Sequence, residues 1–155
     1  MNWRTEFGCA LLVLASPAAA VTTCNGANAS LAFGVYDGFA TAHLDTQSNI
    51  VVTCTRIGGP PTATISIALG PSVSSGAIAI RYLRGPDQLN YNLFRDATRS
   101  TIWGNTTGVD TVTQSLTLAN NATGSTSFTV FGRIFAQQDV RVGTYADSLL
   151  ITVSY

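Results

Sequence analysis

The side chains that most often do chemistry are scarce in this chain of 155 residues. His43 is the single histidine, and Asp45 follows two positions later, so the two side chains would share a face of a strand. A hydrolytic triad needs an imidazole base beside a nucleophile and a third group that orients the base. One histidine among many serines is an ordinary composition and does not by itself indicate a catalytic site. We therefore interpret His43 and Asp45 as a surface pair and predict no catalytic residue.

Paired carboxylates and metal centres are not indicated either. From residue 21 onward every acidic residue is an aspartate, and most adjoin turn residues or strand ends, where aspartate caps backbone groups. No phosphate-binding loop and no calcium-loop spacing occurs, and one histidine is too few for a typical structural zinc site. We predict a protein without enzymatic activity, cofactor or metal. A glycosidase would need two carboxylates, and the aspartates available for that role are Asp37, Asp45, Asp87, Asp96, Asp110, Asp139 and Asp147.

The first twenty residues have the pattern of a secretory signal peptide. Arg4 precedes an apolar run, and three alanines end at Ala20, where cleavage is expected. The mature domain would then be residues 21–155. It keeps two cysteines, Cys24 and Cys54, which in an oxidising compartment are expected to form a disulfide. The alternative is a metal ion bound by these two cysteines, and such a site would lack further ligands.

Charge and composition limit the class of protein. The chain is 46% apolar, 10% charged and formally neutral. Such a chain is large enough for one domain with a hydrophobic core, and no segment of it has the composition of a linker or the pattern of a repeat. Because nucleic-acid-binding proteins normally carry a basic excess, we expect no nucleic-acid partner.

The elements that must position any site are strands. Short alternating segments recur about every ten residues, which is typical of an all-β sandwich. In the segment 89–94, Asn90 and Asn92 are expected to face outward. The strands are predicted at 31–36, 49–55, 62–69, 77–83, 89–94, 112–118, 125–135 and 145–155, with a short one at 101–103.

The end of the sequence carries the most distinctive pattern. Leu149, Ile151, Val153 and Tyr155 alternate with polar residues, and no further strand follows to pair with them. A long edge strand with an apolar inner face and neither charge nor proline invites pairing with another chain. The pattern therefore predicts that the edge of this last strand pairs with another protein chain.

Several motifs together resemble a known family, the spore coat protein U domain, which is the subunit domain of archaic, Csu-type chaperone-usher pili. The resemblance covers nearly the whole mature chain, and the order and spacing of the motifs make it specific. The matching parts are Cys24, 33–37, Cys54, 89–96, Trp103 with Gly104, 130–134 with Gln137 and Gln138, and 143–147.

The resemblance implies an immunoglobulin-like β-sandwich that lacks its last strand and is completed by donor-strand complementation. It also implies the partners: a periplasmic chaperone lends a strand, an outer-membrane usher exports the subunit, and a neighbouring pilus subunit then donates its own strand. The protein would be secreted through the periplasm to the cell surface. The residues expected to border the acceptor groove are Leu31, Phe33, Val35, Leu149, Ile151, Val153 and Tyr155.

The sequence departs from this family in one respect. If cleavage follows Ala20, only three residues precede Cys24, and three residues span about 10 Å, too little to fill a groove made for a strand. The subunit would accept a strand without donating one. We therefore expect a tip or other terminal subunit of a surface fibre, with a role in adhesion and biofilm formation. The candidate adhesive loops are 57–61 and 77–80, although an alternating strand explains 77–80 better.

Two other functions stay open from the sequence. One is a spore-coat or extracellular matrix protein that associates laterally. The other is a small secreted lectin or hydrolase, because a fold alone does not decide function.

Overall fold

The structure, a computed structural model, describes residues 21–26 and 29–155, and the predicted signal peptide lies outside them. Runs of alternating apolar residues form eight strands in the described part of the chain. Segments rich in turn-forming residues separate these strands. The strands are β1 (Val21–Gly26), β2 (Leu44–Ile57), β3 (Thr62–Ser72), β4 (Arg81–Arg84), β5 (Gln88–Phe94), β6 (Val112–Thr117), β7 (Ala122–Ile134) and β8 (Leu149–Ser154).

The strands form two antiparallel sheets. The five-stranded sheet has the order β1-β2-β7-β5-β4, and the three-stranded sheet has the order β6-β3-β8. β2 and β7 pair along their length, from Leu44 opposite Ile134 to Arg56 opposite Ala122. The prediction of an all-β, immunoglobulin-like sandwich is confirmed. Residues 21–26 and 29–155 contain no helix that is long and apolar enough to cross a membrane.

The core lies between the two sheets. Along β3, Ile65, Ile67 and Leu69 are buried and pack in one cluster with residues of the facing sheet such as Ile50 and Phe128. Burial of each such side chain stabilises the fold by roughly 1.5–3 kcal/mol. The alternation along β3 therefore turns its apolar face toward the core.

The expected disulfide is present. Cys24 on β1 bonds to Cys54 on β2, directly opposite in the strand register, and both cysteines are buried. The bond fastens the short first strand to the edge of the five-stranded sheet.

Four strand predictions need correction. The segment 101–103 is not a strand, because it makes only an isolated bridge between Ile102 and Phe94. The segment 31–36 is not a strand, because the carbonyls of Ser30 and Ala32 accept from the side chains of Ser48 and Thr46 instead of from a strand backbone. The predicted strand at 77–83 begins only at Arg81, because residues 73–80 form a turn that folds back on Ser72. The closing strand begins at Leu149 and not at residue 145, because Ala146 pairs with Arg84 of the other sheet.

The prediction that Asn92 faces outward is also wrong. Its side-chain amide donates to the carbonyls of Ile78 and Ala79, at 3.2 and 2.8 Å, and its Oδ1 accepts from Arg81 at 2.6 Å. Arg81 is itself fully buried, and its other terminal nitrogen donates to the carbonyls of three residues. Buried polar groups need such partners, so the two side chains form one polar core. The three carbonyls belong to Leu69, Gly70 and Trp103.

Candidate functional site: an open groove between the sheets

The last strand of the chain is paired on one side only. β8 pairs with β3, with Ile151 opposite Leu69 and Val153 opposite Ile67. Its other edge has no strand beside it in the described part of the chain. Ile151 points toward the core, whereas the neighbouring Leu150 is 71% exposed. β8 therefore presents an unpaired backbone edge above an apolar inner face.

A second rim faces β8 across a gap. It is the segment 29–36, which we call the switch segment because it leaves the five-stranded sheet after β1. Ser48 Oγ donates to the carbonyl of Ser30 at 2.7 Å, and Thr46 Oγ1 donates to the carbonyl of Ala32 at 3.1 Å. Thr46 and Ser48 belong to the inward-facing set of β2. The switch segment therefore lies over the inner face of the five-stranded sheet, in the layer of β8.

Two side chains fix the switch segment over the sheet. Phe33 packs edge-on against Tyr91, with 5.7 Å between the ring centroids. Leu31 and Phe33 both rest on Gly132 of β7, where the absence of a side chain makes room for them. A Cβ at Gly132 would collide with Leu31 and come within 2.9 Å of Phe33.

The gap between the switch segment and β8 is a groove of about 310 Å³, comparable to the lower end of ligand pockets. At one end β1 and β8 converge, since a Cβ at Gly26 would lie 2.9 Å from Val153 Cγ2. At the other end, Ala146 pairs with Arg84. The floor is mostly apolar. It consists of Ile50, Leu69, Leu83, Tyr91, Leu93 and Val130, and the rims contribute Ala29, Ser30, Leu31, Phe33, Asp147, Ser148, Leu149 and Ile151.

One polar pair interrupts the apolar lining. Tyr91 donates its hydroxyl to Asp147 Oδ2 at 2.6 Å, and the backbone N–H of Ser74 donates to Oδ1 at 3.1 Å. Burial alone would raise the pKa of Asp147, but hydrogen bonds from Ser72, Tyr91 and Ser74 outweigh it and lower the pKa. Burial, and then the bond to Asp147, raises the pKa of Tyr91 far above its usual value. The groove therefore carries a carboxylate and a protonated phenol at neutral pH.

The seven residues predicted to border a groove separate into two groups. Leu31, Phe33, Leu149 and Ile151 line the groove, and Val153 is half-buried at its closed end. Val35 is 94% exposed, since the chain turns away at Gly34, and Tyr155 is 58% exposed beyond the end of β8. The binding role of each residue stays a prediction.

Asp147 and Tyr91 also line the groove and are not among the seven predicted residues. The sequence predicts Asp147 as one of the aspartates near turns and strand ends. The available signal was the position of Asp147, two residues before the alternating run of β8, which places it on the same face as Leu149.

The only histidine has a structural role. His43 Nδ1 accepts a hydrogen bond from the N–H of Ala136 at 3.0 Å, and the ring packs edge-on against Phe135. Asp45 instead receives two bonds of 2.8 Å from Arg133, and Arg99 lies 3.3 Å away. The side-chain hydrogen bonds from Arg133 lower the pKa of Asp45. The described residues hold no cluster of three potential metal ligands.

Substitution of Gly132 by alanine tests the position of the switch segment. The added methyl group would push Leu31 and Phe33 off the sheet, so we expect a loss of about 1–3 kcal/mol in the free energy of unfolding. The double variant Gly132→Ala with Leu31→Ala should recover part of this loss relative to the sum of the single changes. Urea unfolding measures both effects. Strictly additive changes would contradict the packing of Leu31 on Gly132.

These features define a class of protein: an all-β sandwich with an open groove along its last strand. The family model of the Spore Coat Protein U domain matches residues 10–152 of the sequence, and the chain belongs to that family. It is also similar to Protein U of Myxococcus xanthus, with 30% identity over 137 residues, which cover 81% of this chain and 72% of that protein.

Proposed function

We propose that this protein is a non-enzymatic structural subunit of a secreted chaperone-usher surface fibre, and that its groove accepts a strand from another chain. The periplasmic chaperone would fill the groove first, the usher would export the complex, and a neighbouring subunit would then insert its own strand. The proposal rests on membership of the family and on one observation. This observation is the unpaired edge of β8 above the apolar floor of the groove.

The chemistry of the groove favours an extended chain over a compact ligand. The edge of β8 offers backbone N–H and C=O groups that a strand can satisfy one after another, and alternate side chains of that strand would enter the floor. Pairing along β8 would also cover Ile151 and Leu149, which are only half-buried now.

Removal of residues 150–155 tests the acceptor role. The deletion takes away nearly all of β8, so we expect no complex with the cognate chaperone on co-expression and copurification. A deletion of Tyr155 alone is the control, because this residue lies outside β8 and is exposed. A complex of the six-residue deletion formed at normal yield would refute the groove assignment.

We further propose a terminal position in the fibre. The six residues of β1 pair with β2 of their own sheet, and Cys24 is tied to Cys54. Residues 21–26 are therefore engaged inside the domain, which supports a subunit that accepts a strand without donating one. The proposal depends on cleavage after Ala20. Mass spectrometry of the secreted protein tests it, and a mature amino terminus well before Val21 would contradict it.

Adhesion is the function that we propose for exposed apolar loops. Phe39 and Val142 are 96% and 102% exposed, in the loops before β2 and before β8. The two loops touch, because the Tyr36 hydroxyl donates to the carbonyl of Phe135 at 3.0 Å and accepts from the N–H of Gln138 at 2.8 Å. The loops 57–61 and 77–80 offer less, with one large exposed apolar side chain each, at Ile57 and Ile80.

The double variant Phe39→Ser with Val142→Ser tests this role. Both changes remove an apolar side chain that would contact a hydrophobic surface, and burial of one such side chain contributes roughly 1.5 kcal/mol or more. Attachment of the purified protein to a hydrophobic surface should therefore fall at least about tenfold. Stability should change little, because both side chains are exposed. Val109→Ser, an exposed valine in the loop after β5, is the matched control. Equal attachment of the double variant and the control would exclude these loops as the adhesive site.

A spore-coat or matrix protein is the second candidate, favoured by the name of the matched family and by its similarity to Protein U. Electron microscopy of the labelled protein separates the two candidates. Thin fibres would support the pilus subunit, and a continuous layer would support the coat protein.

A further inference from the structure

Asp147 is an anomaly in the groove. It lines an otherwise mostly apolar cleft, yet no arginine of residues 21–26 or 29–155 forms an ion pair with it within 4.0 Å. The positive charge of Arg81 attracts Asp147 through space. The terminal nitrogens of Arg81, however, donate to Asn92 and to three backbone carbonyls. Asp147 is only half-buried, so solvent reaches it while the groove is open.

The hydrogen-bond partners of Asp147 are all uncharged. The Tyr91 hydroxyl and the Ser74 N–H donate to its two oxygens, and the side chains of Ser72 and Ser74 add hydrogen bonds that lower its pKa. None of these donors neutralises the negative charge, which solvent screens while the groove is open. A strand laid along β8 would exclude that solvent, because Ser148 and Leu149 follow Asp147 directly on the same rim.

The side chain that faces Asp147 then decides whether the strand fits. Opposite an aliphatic side chain, the carboxylate would lose its contact with solvent and gain no counter-charge, which disfavours binding. A basic side chain would balance the charge through a charge-assisted hydrogen bond. An acidic side chain would add repulsion, and sites commonly gain specificity through such penalties.

We propose that the strand that fills this groove carries a lysine or arginine at the position facing Asp147 and apolar side chains at its other groove-facing positions. This rests on the proposed function, since it assigns the partner of the same groove. Asp147 is then a specificity-determining residue, and the apolar floor supplies most of the binding energy.

Synthetic peptides test the proposal on the mature, disulfide-bonded protein. The parent peptide is a capped strand of about nine residues in which threonine alternates with valine. Two basic peptides place lysine at the first or the last valine position, so that both strand directions are sampled, and two matched peptides place norleucine at the same positions. Binding is measured by fluorescence anisotropy of labelled peptides, for the unmodified protein and for Asp147→Asn. Asp139→Asn, an exposed aspartate of the loop before β8, is the control variant.

We expect one of the two lysine peptides to bind about tenfold more tightly than its norleucine counterpart, a preference that higher salt weakens. Asp147→Asn should remove this preference, and Asp139→Asn should keep it. Equal or tighter binding of the norleucine peptides to the unmodified protein would overturn the assignment of Asp147 and leave the acceptor groove intact. If none of the peptides bound, the proposed function itself would fail, and the inference with it.

Discussion

Replacement of Ile151 by aspartate is expected to abolish strand capture. Ile151 lines the groove from β8, and its side chain would be covered by any strand paired to that edge. A carboxylate at this position would be buried without a partner, at a cost of several kcal/mol, which corresponds to a loss of affinity of more than about a hundredfold. Copurification with the cognate chaperone measures the effect.

The neighbouring residue provides a matched control. Leu150 lies on the same strand and points to the opposite, outer face. Leu150→Asp therefore adds the same charge one residue away without entering the groove, and it should capture a strand normally. Urea unfolding of both variants separates loss of binding from loss of folding. If both variants captured the chaperone equally well, the inner face of β8 would not be the binding surface.

The double variant Cys24→Ser with Cys54→Ser should lose about 3–4 kcal/mol of unfolding free energy, the amount that the chain-entropy model gives for a loop of about thirty residues. The disulfide is the covalent tie between β1 and β2, and without it the short edge strand can separate from the sheet. A lower stability of this size corresponds to a decrease in Tm of roughly 10–20 °C for a domain of this length.

Thermal unfolding followed by circular dichroism gives the Tm of the double variant. The unmodified protein kept in reductant is the control, and it should unfold at a similar temperature. A decrease of less than about 1 kcal/mol would show that β1 is held mainly by its hydrogen bonds and not by the disulfide.

The strand pattern was predictable wherever one face of a strand is apolar and the other is polar. β3 and β8 follow the period of two residue by residue, since Ile65, Ile67 and Leu69 face inward as Leu149 and Ile151 do. The pairing of two cysteines in a secreted chain was equally accessible. These features depend only on local alternation and on redox chemistry.

The switch segment was not predictable from alternation alone. Leu31, Phe33 and Val35 alternate with other residues as in a strand, and this pattern predicts one. The outcome depends on Thr46 and Ser48, whose hydroxyls hold the segment above the sheet. A side-chain bond between segments that lie more than ten residues apart leaves no local signature.

The polar core and the polar end of the groove were hidden for a similar reason. Asn92 alternates as an outward residue, yet Arg81 and the carbonyls of residues 78 and 79 enclose it. Asp147 resembles a turn aspartate until Tyr91 is seen beside it. Long-range partners of polar side chains decide burial at these sites, and a single sequence does not reveal them.

Hydrogen exchange of the β8 amides, in the free subunit and in assembled fibres, tests the central claim most directly. The account predicts that those amides of Leu149–Ser154 that do not bond to β3 exchange rapidly in the free subunit, and that they become strongly protected once a second chain fills the groove. Full protection of the same amides in the free, monomeric subunit would contradict the account.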